Sequence, residues 1–139
     1  MKKKLINYLI WLIIIVAMGV LSIIIFWLSY PYKTINIEDF QTTQAEYHPG
    51  DAIVYTFEYT KCCNHSAIMY RQLNDKVMYQ LDYSRSNLPV AENKVVSSTV
   101  IIPLGIASDI YTLQITEVIR VNPIREITKE FISKPFTIK

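Results

Sequence analysis

The sequence predicts an all-β domain of about seven antiparallel strands, preceded by one N-terminal transmembrane helix. Three observations carry this reading. The first residues hold a long run without charge, the remainder alternates apolar and polar residues in short stretches, and Pro, Gly, Asn and Asp punctuate those stretches.

The chain has 139 residues, near the size of one domain and too short for two large cores. Its formal charge of +2 hides an asymmetry. Lys2, Lys3 and Lys4 stand at one end, whereas the segment from Pro31 onward carries 11 basic and 12 acidic side chains. That near-balance removes the electrostatic case for nucleic acid.

No charged residue occurs from Leu5 to Tyr32, and Leu5 to Leu28 is interrupted only by Asn7 and Ser22 among small polar residues. Those 24 residues make a helix of roughly 36 Å at about 1.5 Å per residue, enough to cross a hydrocarbon core of about 30 Å. A cleaved signal has a shorter apolar region and a small-x-small site. Here Trp27, Leu28, Ser29, Tyr30 and Pro31 stand at the outer end, so the segment reads as an uncleaved anchor. Tyr8 and Trp11 near one end, and Trp27, Tyr30 and Tyr32 near the other, match interfacial aromatic belts. The triple lysine outweighs Lys33, which predicts residues 1–4 as a cytoplasmic tail, 5–30 as the anchor in the inner membrane and 31–139 as an extracytoplasmic domain. Gly19 and Ser22 are not at GxxxG spacing, so lipid along Leu5 to Leu28 is the expected partner of the helix.

The β segments follow in order. Thr34 to Phe40 reads as a strand, and His48-Pro49-Gly50-Asp51 as a turn. Ala52 to Thr60 is the clearest strand, with Ile53, Tyr55, Phe57 and Tyr59 on one face. Ser66 to Leu73 and Lys76 to Tyr83 form a hairpin through Asn74-Asp75, with Ile68 and Tyr70 opposite Val77, Tyr79, Leu81 and Tyr83 as inward rows. Ser84 to Asn93 is a loop, and Lys94 to Ile102 a strand that turns at Pro103-Leu104-Gly105. From Asp109, the residues Tyr111, Leu113, Ile115, Ile119 and Val121 alternate with polar ones up to Asn122-Pro123. Ile124 to Ile138 is the last strand, and Pro135 places it at an edge or a bulge.

This pattern predicts a β-sandwich of the immunoglobulin or fibronectin type III kind. Tyr111, at the start of the penultimate strand, occupies the place of a corner tyrosine whose hydroxyl bonds back to the preceding turn. Leu113 stands where an antibody domain has its second bridging cysteine, and both tryptophans lie in the membrane segment. The fibronectin-like or bacterial surface-type sandwich is therefore the better analogy.

Three short motifs, Tyr30-Pro31-Tyr32-Lys33, Pro49-Gly50-Asp51 and Val121-Asn122-Pro123-Ile124-Arg125, add a resemblance. With them the stretch Tyr30 to Ile138 resembles single-span, immunoglobulin-like proteins of tailed bacteriophages. The resemblance implies a bacterial envelope setting and no known activity. Those proteins separate their two cysteines along the chain, whereas Cys62 and Cys63 are adjacent here, so a domain-crossing disulfide does not carry over.

Cys62 and Cys63 leave four readings open. A vicinal bridge is strained, because neighbouring α-carbons lie about 3.8 Å apart, below the usual disulfide range. A metal site with His65 would need further ligands, and His48 has no zinc-like spacing to it. An intermolecular bridge or two free thiols are the others.

No catalytic constellation stands out, so the expectation is a non-enzyme with no cofactor. His65-Ser66 with Asp51 is the one triad that can be drawn, and nothing in the spacing gathers it. Ten tyrosines allow a recognition surface, for which Tyr47, Tyr70, Arg71, Tyr79, Tyr83 and Arg85 are the candidates, although tyrosines also fill sandwich cores. The expected function is a tethered binding or structural module at the cell envelope, with an envelope protein or glycan as partner. The alternative is an assembly component in which the helix self-associates into a homo-oligomer and the β domain is a cap.

Overall fold

The computed structural model describes residues 2–139, with side chains from Lys4 onward. It divides into two compact units, one running through Tyr32 with Asn122–Arg125, the other comprising Lys33–Val121 with Glu126–Lys139.

The first unit is built on one helix, α1, Lys2–Ser29. Within its Lys4–Ser29 stretch an 18-residue window has a mean hydropathy of 3.1 and is not buried by protein, so the helix is long and apolar enough to cross a membrane. Apolar side chains surround it on every side, as a lipid-facing helix requires. A helix end leaves its last carbonyls without intrahelical donors, and α1 has no basic residue in its last turn. Asn122 and Arg125 supply the donors. Asn122 Nδ2 bonds to Trp27 O at 3.0 Å and to the Tyr32 hydroxyl at 3.2 Å. Arg125 Nη1 bonds to Leu28 O at 2.7 Å and Tyr30 O at 2.9 Å, and its guanidinium lies 5.9 Å from the Tyr32 ring centre.

The second unit is all β. Its strands are β1 Ile35–Thr42, β2 Glu46–Tyr47, β3 Ala52–Lys61, β4 Ser66–Asn74, β5 Met78–Arg85, β6 Ala91–Ile101, β7 Asp109–Asn122, β8 Arg125–Ile132 and β9 Phe136–Ile138. They form a three-stranded sheet in the order β1-β3-β6 and a six-stranded sheet in the order β2-β9-β7-β4-β5, with β8 also on β7.

The period of two along each strand decides what is buried. On β3, Ile53, Tyr55, Phe57 and Tyr59 are at most 2% exposed, as their alternation predicts. β7 answers with Tyr111, Leu113, Ile115 and Ile119, and β9 with Phe136 and Ile138. Burying each of these large side chains stabilises the fold by about 1.5–3 kcal/mol.

The β4 row is inverted relative to expectation. Ala67, Met69, Arg71 and Leu73 face the core, while Ile68 is 40% exposed and Tyr70 is half-buried. The reason lies downstream, because the Ile68–Tyr70 phase continues into Gln72 and Asn74, whereas the other phase ends on Leu73. On β5 the row breaks too, since Arg71 pairs with Asp82 and Gln72 with Gln80, which leaves Leu81 as an extra residue. Val77 and Tyr83 are therefore exposed, and Tyr79 and Leu81 half-buried.

Among the described residues the strands number nine, where about seven were expected. Glu46–Tyr47 adds a short strand parallel to β9, so the pairing is not wholly antiparallel. The final segment splits into β8 and β9 at Ser133-Lys134-Pro135, where Ser133 Oγ takes over the ladder by accepting from Leu113 N at 2.9 Å. The His48–Asp51 turn forms as expected. Asp51 N reaches His48 O at 3.0 Å, and Gly50 adopts φ +89° behind Pro49, the second central position of a type II turn. A Cβ on Gly50 would lie 2.8 Å from Leu104 Cδ2.

Candidate functional site

The inverted β4 row puts a guanidinium inside the β unit. Arg71 is 8% exposed, and its Nε donates to the Tyr55 hydroxyl at 2.5 Å, linking the six-stranded sheet to the three-stranded one. Its Nη1 bonds to both Asp82 oxygens at 3.1 and 3.2 Å and to Ser84 Oγ at 3.0 Å. Burial acts to lower the Arg71 pKa, but the Tyr55 and Asp82 partners outweigh it and hold the group above its usual value. The arginine therefore stays charged.

Arg71 lies on the wall of a cleft of about 130 Å³ between the sheet edges β5 and β6. Tyr55 and Phe57 come from β3, Met69 from β4, Ser84 and Arg85 from β5, and Val96 to Ser98 from β6. The connection through Ser86, Asn87 and Leu88 closes one end. That connection is fastened from below, since Lys61 Nζ donates to Leu88 O at 2.9 Å, the Tyr59 hydroxyl to Pro89 O at 3.1 Å, and Ser86 N to Ala67 O at 2.9 Å. Asn93, at φ 49°, lies where two β6 residues, Glu92 and Asn93, face the single β3 residue Thr60 between the Tyr59–Lys94 and Lys61–Ala91 pairs, and this bulge turns β6 into the loop.

Beside this loop lies a buried carboxylate. Glu117 is 1% exposed on β7, opposite Met69 in register. Neither of its oxygens, nor the buried Ser86 Oγ, has a hydrogen-bond partner among the described residues. Burial pushes the Glu117 pKa up, against the opposing influence of Ser86, Lys61 and Lys129.

No family model matches the chain, and no curated protein sequence matches it. Solved structures share parts of its shape. The sporulation control protein Spo0M from Bacillus subtilis aligns at TM-score 0.43 and 10% identity, over 78% of this chain and 50% of that one. The alkylpurine DNA glycosylase AlkC from Pseudomonas fluorescens aligns at TM-score 0.48 and 8% identity, over 83% and 33%. A β-glucosidase from Erythrobacter marinus aligns at TM-score 0.39 and 5% identity, over 73% and 15%. This chain thus spans half or less of each of these proteins.

The tyrosine and arginine candidates are dispersed. Tyr47 is 2% exposed, packs edge-on to Phe136 and accepts from Gln44 N, so it belongs to the core at the β2–β9 pairing. Arg71 is likewise inside. Tyr79 is half-buried against Tyr111, with ring centres 6.1 Å apart. Tyr70 and Tyr83 are directly paired across β4 and β5, with rings 6.1 Å apart, and Arg85 is paired with Ile68 beside them. Of the six candidates only Tyr70, Tyr83 and Arg85 share an outward surface. The cleft itself escaped sequence reasoning, because Ser84 and Ser86 fall in the segment read as loop and Ser97 and Ser98 in a strand that nothing in the sequence sets beside it. The signal available was Asp82, an acid at the right distance along a hairpin to meet Arg71.

Tyr111 is 1% exposed, and its hydroxyl donates to Ala107 O at 2.9 Å. Burial, followed by the nearby Tyr79, raises its pKa. Cys62 and Cys63 are free and exposed, with sulfurs 2.8 Å apart, and Cys62 donates to Lys33 O at 3.3 Å. The Cys62 contact pushes the Cys63 thiol up. His48 and Asp51 precede β3 and Cys62, His65 and Ser66 follow it, so ten strand residues separate the two groups. A strand of that length spans about 33 Å, which holds Asp51 away from His65 and Ser66. Asp51 instead accepts from His48 N at 2.7 Å and fixes its own turn.

Proposed function

We propose that this protein is a membrane-tethered binding module whose β unit lies outside the cytoplasm and recognises its partner without catalysis. The observation that carries the reading is the union of a charge-free, fully exposed apolar helix with a β unit whose open flank holds a charged cleft. The helix stays in the lipid, the lysines Lys2 to Lys4 remain inside, and the cleft faces the envelope. A phage origin, acting on a bacterial envelope, is the setting we favour on the short motifs around Tyr30, Pro49 and Asn122.

We read the β unit as a sandwich of the fibronectin or immunoglobulin kind. Supporting this, the first, third and sixth strands form one sheet while β4 and β7 lie side by side in the other, the same partition as strands B and E against C and F in that fold. The short β2 and the split β8–β9 are then additions at the edges. Tyr111 bonding to Ala107 O supports the corner role.

Placement is testable with the native cysteines, because Cys62 and Cys63 are the two thiols of the chain and both are exposed. After mild reduction, a membrane-impermeant maleimide is expected to modify them in intact cells expressing the full chain. Modification only after lysis would reverse the topology.

A further inference from the structure

The cleft also carries a ligand class, an inference that rests on the binding-module reading. Two donors along it lack a good acceptor. Arg71 Nη2 touches the Met69 thioether at 3.5 Å, a weak acceptor at best. The Tyr55 hydroxyl already accepts from Arg71 Nε and has its own hydrogen left to give. Ser86 Oγ is buried beside Glu117, whose carboxyl it faces, and borders the same cleft.

The surrounding charges favour an anion. Arg71 lines the cleft, with Asp82 already engaged by its other nitrogen, while Lys61 and Lys129 are bonded to Leu88 O and Ile35 O. We propose that the cleft between β5 and β6 binds a small carboxylate, its oxygens taken by Arg71 Nη2 and the Tyr55 hydroxyl, with Ser84, Ser86 and Ser98 receiving the polar groups attached to it. A carboxylate fits better than a phosphate for two reasons. The free donors are few, which suits a planar two-oxygen head. The volume of about 130 Å³ holds little more than four waters at about 30 Å³ each, leaving room for an acetate-sized head with a short polar substituent.

Sodium acetate and inorganic phosphate, titrated at constant ionic strength into the full chain in neutral detergent, test this through the Arg71 Nε–H resonance. Acetate is expected to give a saturable shift, and phosphate a weaker one. Ser98→Leu, which fills the cleft from β6, is expected to weaken acetate at least tenfold. Ser86→Ala, which should leave the fold intact, is expected to weaken it about threefold. No saturable response to acetate, a response unchanged in both variants, or tighter binding of phosphate would overturn the assignment. Because the titration is done in detergent, its failure is separate from a failure of cysteine labelling, which concerns placement alone.

Discussion

Arg71→Ala is expected to be among the most damaging single substitutions in the β unit, costing about 2–5 kcal/mol, the usual loss when a large buried side chain is truncated. The guanidinium is the one group that bonds β3, β4 and β5 together, through Tyr55, its own backbone and Asp82. Its loss leaves the Tyr55 hydroxyl without its donor and opens a cavity beside Met69. Two further variants separate charge from shape. Arg71→Met restores most of the volume, and Asp82, with its side chain 49% exposed, can turn to water, so its cost is expected to be about half that of alanine. Arg71→Lys keeps the charge but loses the fork that serves Tyr55 and Asp82 at once, and should fall between them. Denaturant titration of the full chain in detergent, followed by tyrosine fluorescence and far-ultraviolet circular dichroism, measures all three. A loss below about 1 kcal/mol for Arg71→Ala would mean that the guanidinium is not an organising contact.

Glu117 gives the second large effect, with a sign opposite to that of most carboxylates. Its folded pKa is raised above the reference value of 4.5 by burial. Between that reference and the raised folded value the native chain holds more protons than the unfolded chain, so stability falls as pH rises through this window. Below 4.5 the contribution is fully favourable, and above the folded pKa the whole penalty is present. Glu117→Gln keeps the shape and removes the titration. It is expected to flatten the decline of melting temperature with pH that starts near 4.5 and to raise stability at neutral pH by about 1 kcal/mol or more. A wild-type stability that rises across the same window, with the glutamine variant matching it, would contradict this account of the carboxyl.

How far the sequence revealed all this differs by element. The helix was legible, because a run with no charge from Leu5 to Tyr32 is long and apolar enough to cross a membrane. β3 and β7 were legible as well, since their apolar rows are long enough to fix the phase. β4 was not. Both of its faces hold apolar residues, Ile68 and Tyr70 on one, Met69 and Leu73 on the other, and the polar Gln72 and Asn74 that end the first face are a weaker local signal than the charge of Arg71 in the second. A charged residue in the inward row reads locally as a reason to turn that row outward, so the arginine concealed the face it organises. The split of the last strand had a visible cause in Pro135, but Ser133 standing in for the backbone ladder had none. Tyr47 was misjudged as a surface residue because the two-residue strand that buries it pairs with β9, some ninety positions away. The cap on α1 is of the same kind, as Asn122 and Arg125 serve carbonyls that precede them by more than ninety residues.

The claim beneath the functional reading is that one chain is divided between two solvents, lipid for α1 and water for the β unit. Alkaline carbonate extraction of membranes from cells expressing the full chain tests it most directly. An integral helix should keep the intact, unshortened protein in the membrane pellet. Recovery of the full-length chain in the carbonate supernatant would contradict the account.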